Sequence, residues 1–223
     1  MSLESKQHSS FASEGDEAVA KLTAFWDQYG RILLGVIAVI AVIGVGSFYY
    51  LRGRGEQEST AAGKLAEASL MYWQGDYARS ADLAKQVSTQ YGSTSSGNDA
   101  HRLLGDNAFW SGDFKTAISE YRIYVAKAPA GVLQDSGRRS LAYALESAGQ
   151  TSEAAKTYES LVGKIDRSSS GEFLYAAARC YLQLGQPAQA LDRLKRLEAE
   201  FGETSYAAMA RMKIAELEAA NAH

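Results

Sequence analysis

Catalysis and metal binding both need a few side chains of the right type at the right spacing. The histidines here do not supply that pattern: His8, His101 and His223 are far apart. No pair has metal-ligand spacing, and no cysteine or carboxylate completes a set. Cys180 is alone, so it has no intramolecular disulfide partner. Among Ala176, Ala177, Ala178 and Tyr181 it reads as a small buried hydrophobe. Gly-x-Gly occurs at 44–46 and 53–55, and neither follows a strand or carries a phosphate-loop lysine. Glu153 and Glu159 suit solvated helix faces. The expectation is a non-enzyme with no cofactor, no metal and no small-molecule substrate. Net charge is -3 with no block of like charge, so nucleic acid is not an expected partner.

A different chemistry recurs along the chain. Tyr72, Trp73, Arg102, Asp106, Phe109, Trp110, Arg139, Tyr143, Tyr175 and Arg179 combine rigid aromatic area with forked donors. That is the residue usage of protein-binding hot spots. For Trp73, Trp110 and Tyr175, packing between structural units is an equal alternative to binding.

Elements able to line up such residues are helical. There are two prolines, Pro129 and Pro187, and good helix formers abound. Gly75, Gly112, Gly149 and Gly185 recur at intervals of 37, 37 and 36 residues. Seven residues before each glycine stands a small residue: Ala68, Gly105, Ala142 and Ala178. Five after stands another: Ser80, Ala117, Ala154 and Ala190. Four later come Ala84, Tyr121, Tyr158 and Leu194. Small residues permit close helix approach, and each glycine supplies a left-handed turn. The period lies near the 34-residue tetratricopeptide (TPR) repeat. We therefore expect an all-α fold: a single N-terminal transmembrane helix, then a TPR-like α-solenoid of about four helical hairpins plus a capping helix. The repeats fall near 57–91, 98–129, 133–164 and 171–201, with a cap at 205–220. The serine- and glycine-rich stretches 92–97 and 166–171 read as flexible loops. In TPR register the ten residues above fall on first helices, the groove side. Asp106 and Tyr143 occupy positions where a carboxylate-clamping groove would carry asparagine, so an acidic-tail ligand is not expected.

Before the repeats, residues 1–15 are polar and read as a disordered tail. Residues 16–31 have an amphipathic helical period and read as a juxtamembrane helix with a break near Gly30. Residues 32–51 form an uncharged run of 20, about 30 Å of helix, enough to span a bilayer. Aromatics and Arg52 at its end suit a retained anchor better than a cleaved signal. Gly53 and Gly55 suggest a hinge over 52–56. Flanking charge is nearly balanced: Lys21 and Arg31 on one side, Arg52, Arg54 and Lys64 on the other. It leans slightly toward a cytoplasmic C-terminal side.

The order Glu17-Ala18-Val19, Phe25-Trp26, Tyr29-Gly30-Arg31, a glycine-containing anchor, Phe48-Tyr49-Tyr50 and helical repeats resembles the YfgM family. That resemblance implies an ancillary subunit of the SecYEG protein-conducting channel. It implies a cytoplasmic N-terminus, a bacterial inner-membrane anchor and a periplasmic TPR domain. Implied partners are SecYEG channel subunits, periplasmic chaperones and exported chains. Two alternatives stay open: an envelope-assembly or cell-division scaffold, and a cytoplasm-facing TPR receptor.

Overall fold

The structure, a computed structural model, describes residues 4–220. His223, the first three residues, and the side chains before Glu17 lie outside the described set, so the expected tail is only partly covered. Every element among the described residues is an α-helix: α1 (Glu4–Trp73), α2 (Tyr77–Gln90), α3 (Ser95–Trp110), α4 (Phe114–Lys127), α5 (Val132–Ser147), α6 (Thr151–Leu161), α7 (Arg167–Gln183), α8 (Pro187–Phe201) and α9 (Ser205–Ala220). The chain divides into two compact units, Met1–Gly55 and Glu56–His223.

In the first unit, α1 includes residues 4–15 and 53–55, which the sequence sets apart as tail and hinge. A glycine inside a helix costs only about 1 kcal/mol relative to alanine, so Gly53 and Gly55 do not by themselves end one. Gly30 is also helical and buried, with the Trp26 indole lying where a side chain would stand. The run through Ile32–Leu51 is long and apolar enough to cross a membrane, and none of it is buried. Ile32, Ile40, Val42 and Leu51 are all exposed.

The second unit contains four hairpins and a last helix. Each hairpin turns on one of the four periodic glycines, all with positive φ, between 69° and 81°. Around Gly75, its N–H reaches the Tyr72 carbonyl at 2.9 Å and the Asp76 N–H reaches Met71 at 3.0 Å. The same pair of bonds recurs at Gly112, Gly149 and Gly185. This pattern satisfies the last carbonyls of the outgoing helix. The incoming helix is then capped by Asp76 on the Arg79 N–H or Asp113 on the Thr116 N–H, each at 3.1 Å. Pro187 opens α8 at a position where a missing N–H costs nothing.

Two expected loops are shorter than the stretches 92–97 and 166–171, because helices begin inside them at Ser95 and Arg167. Thr94 accepts from the Gly97 N–H at 2.9 Å and begins α3 at Ser95. Asp166 accepts from the Ser169 N–H at 2.7 Å and begins α7 at Arg167. Ser95, Ser96 and Gly97, and Ser168 to Gly171, are helical residues behind a cap, whereas Gly92 and Ser93 lie in the turn before Thr94. At Gly97 a Cβ would fall 1.9 Å from the Tyr91 carbonyl oxygen, so glycine is required by close backbone approach.

The periodic small residues sit at the helix crossings. Ala68, Ala142, Ser80, Ala117, Ala154 and Ala190 are completely buried. The core has two clusters. One gathers Ala61, Ala68, Ala84, Val87, Ala100 and Leu103 around the first hairpin. The larger runs from Ala117 to Ile214, with Tyr158, Phe173, Leu194 and Leu197 at its centre. Cys180 is fully buried. Burial pushes its thiol up to about 12, so it stays protonated at neutral pH.

Candidate protein-binding groove

The first helices of the hairpins form a row. Helix α3 packs on α5, and α7 on α9; side chains bridge α5 and α7. All ten recognition candidates lie on this row, carried there by the repeat period.

At the start of the row, Trp73 is 81% exposed at the end of α1, and Tyr72 meets it edge-on at 5.3 Å. Tyr72 also meets Tyr77 at 5.6 Å. On α3, Phe109 packs edge-on to Trp110 at 5.8 Å and to Phe114 at 5.5 Å. Trp110 itself is 62% exposed. Both tryptophans are thus exposed at the ends of their helices. Tyr175 is half-buried against Tyr206 of α9 at 6.1 Å.

Asp106 is the polar centre of α3. Arg102 donates to its Oδ2 at 3.1 Å and the Tyr121 hydroxyl donates to its Oδ1 at 2.8 Å. Burial raises the Asp106 carboxyl above the usual range, against the pull of Tyr121 and Arg102. Burial, then the Asp106 charge, likewise raises the Tyr121 hydroxyl.

Between α5 and α7 the charges interlock. Arg139 donates through Nε to the Tyr143 hydroxyl at 2.9 Å and through Nη2 to Glu172 at 3.4 Å. The Tyr143 hydroxyl in turn donates to Glu172. Burial, then that bond to Glu172, pushes Tyr143 up to about 12. In the opposite sense, Arg179 of α7 grips Glu146 of α5 with two bonds, 2.7 and 2.8 Å long. Tyr158 adds a third bond to Glu146, at 2.8 Å. Burial would lift the Glu146 carboxyl, but Arg179 and Tyr158 together outweigh it and hold it low.

The structure thus sorts the candidates. Asp106, Phe109, Trp110 and Tyr143 line one pocket of about 160 Å³, with Tyr121 and Ser140. Tyr175 and Arg179 line another of about 280 Å³, toward α9, with Ala178, Leu182, Gln183, Leu194 and Lys213. Tyr72, Trp73, Arg102 and Arg139 line neither. Arg102, Arg139 and Arg179 each have a carboxylate partner. Glu146 and Glu172, both at first-helix groove positions of the repeat register, and the hydroxyls of Tyr121 and Tyr158 complete these networks. Tyrosine rather than phenylalanine at the periodic apolar position was the available signal. His101 lies against Glu120 of α4 at 2.7 Å, away from these networks. Among the described residues no group of three or more His, Cys, Asp or Glu is placed to hold a metal.

No curated protein matches the sequence. Solved structures show the same fold at low identity. The chain is similar to the TPR-like repeats of a kinesin light chain from Podosopora anserina, with TM-score 0.59 and 19% identity over 74% of this chain and 88% of that one. It is similar to a tetratricopeptide repeat protein from Parabacteroides merdae, with TM-score 0.61 and 14% identity over 72% of this chain and 61% of that one. It is also similar to MamA, with TM-score 0.52 and 13% identity over 70% of this chain and 96% of that one. A tetratricopeptide repeat model matches residues 145–214. A second model, described as a tetratricopeptide repeat-like domain, matches residues 23–165, well over half the chain. The chain belongs to the tetratricopeptide repeat-like domain family.

Proposed function

We propose that this protein is a membrane-tethered scaffold that binds other polypeptides along the row of first helices. Its proposed place is as an ancillary subunit of the SecYEG translocon, linking export to periplasmic chaperones. The observation that carries the binding reading is the exposure of Trp73 and Trp110 on a rigid row, at 81% and 62%. Large exposed aromatics held in place by neighbours are typical interface anchors, because little side-chain entropy remains to be lost. The tether reading rests on the uncovered apolar run in α1. A tether raises the local concentration of the groove beside chains emerging at the membrane. The export reading rests on the order of amphipathic segment, anchor and repeats in the sequence.

Affinity capture from detergent-solubilised membranes tests this. Channel subunits, chaperones and exporting chains are the expected co-purifying partners. Recovery of envelope-assembly enzymes without any channel subunit would move the function to the envelope scaffold reading. A second topology has one observation in its favour: Arg52, Arg54 and Lys64 lean the charge toward a cytoplasmic repeat domain. A C-terminal reporter active only in the cytoplasm would establish it.

A further inference from the structure

The pocket between α3, α4 and α5 has a composition that selects one class of side chain. Its walls are Phe109, Trp110, Tyr121 and Tyr143, with Ser140, and Asp106 supplies a carboxylate. Building on the groove reading above, we infer that this pocket is an aromatic cage for a basic side chain, lysine or arginine, carried by an extended segment of the bound polypeptide.

Ring faces carry partial negative charge and attract cations, and the attraction strengthens as the site is desolvated. Trp110 has the most favourable ring for this contact. Its indole packs edge-on against Phe109, yet most of it is open. The carboxylate decides between a cationic and an apolar guest. Asp106 accepts one bond on each oxygen, from Tyr121 and Arg102, and a carboxylate has room for about four. An apolar guest would strip water from the remaining lone pairs and return nothing. A guanidinium or ammonium group replaces that water with charge-assisted bonds.

Arg102 does not fill the cage itself, because it is not among the wall residues. Its side chain is 45% exposed, which weakens its hold on Asp106 through solvent screening. Arg139 lies over the Tyr143 ring at 5.6 Å but is committed to the Tyr143 hydroxyl and Glu172. It likewise leaves the pocket walls to the aromatics. The volume of about 160 Å³ suits the end of one side chain. The seam between α5 and α7, by contrast, is closed by its paired charges.

The test uses the full chain in detergent and two fluorescent extended peptides. They have the same serine- and valine-rich sequence, with one central arginine or its neutral isostere citrulline. The arginine peptide should bind roughly tenfold more tightly, the scale of one desolvated cation–π contact with a charge-assisted bond. Asp106→Asn keeps an acceptor for Tyr121 and should reduce that ratio to about twofold or less; Trp110→Ala should do the same without altering helicity. Equal binding of the two peptides overturns the cage while leaving the groove reading intact. So does a ratio that survives Asp106→Asn. Failure of both peptides to bind overturns the cage and the groove together.

Discussion

Three tyrosine hydroxyls point at carboxylates inside the repeat unit: Tyr121 at Asp106, Tyr143 at Glu172 and Tyr158 at Glu146. Each bond requires the phenolic proton. Burial, reinforced by the neighbouring carboxylate, raises all three hydroxyls above the ordinary value of 10.0. The sign of the pH effect follows. Below pH 10 both folded and unfolded chains hold these protons, so nothing changes. Above it the unfolded chain releases them while the folded chain keeps them, and stability falls with rising pH. The fall should run from about pH 10 to at least 12, the point to which Tyr143 is pushed. The double variant Tyr121→Phe, Tyr158→Phe should show a visibly shallower alkaline limb in thermal melts. Its cost at pH 7 should be about 1 kcal/mol per lost bond. An unchanged limb would mean these hydroxyls do not control alkaline stability. None of these bonds was legible in the sequence, because 12 to 29 residues separate the partners. Periodicity places a tyrosine on a face and says nothing of what its hydroxyl meets.

Hairpins are the best-determined elements, for a physical reason. A left-handed turn every 36 or 37 residues can hardly be made without glycine, so the period is written in a residue with few substitutes. Helix starts are less legible. Thr94 and Asp166 precede serine- and glycine-rich stretches whose composition resembles linker, and only a cap hydrogen bond tells the two apart. The crossings make a sharper prediction. At Gly105 a Cβ would lie 2.5 Å from the buried Tyr121 ring, although alanine occupies the same repeat position in the other hairpins. Gly105→Ala should therefore cost about 1–3 kcal/mol by overpacking, read from chemical denaturation followed by helicity. Gly149→Ala meets no atom but keeps a φ of 73°, and should cost about 1–2 kcal/mol from backbone strain alone. A Gly105→Ala protein as stable as the parent would show that the second hairpin has slack its small residue does not reveal.

At the scale of the whole molecule, one chain carries an apolar run suited to a bilayer and a repeat unit that displays aromatic side chains. The run was legible because 20 uncharged residues in a row leave few alternatives to a membrane. Its orientation was not, because the flanking charges nearly balance. The helix that carries each candidate residue was legible, since the repeat register assigns them all to first helices. Which of them are open and which are locked was not, because that depends on cross-helix partners such as Glu172 for Arg139 and Glu146 for Arg179. The most direct measurement is photo-cross-linking in intact membranes, with a photoreactive residue at position 110 on α3 or at the exposed position 156 on α6. Adducts to other polypeptides are expected from 110 and few or none from 156. Equal adducts from both positions, or none from 110, would contradict the groove reading.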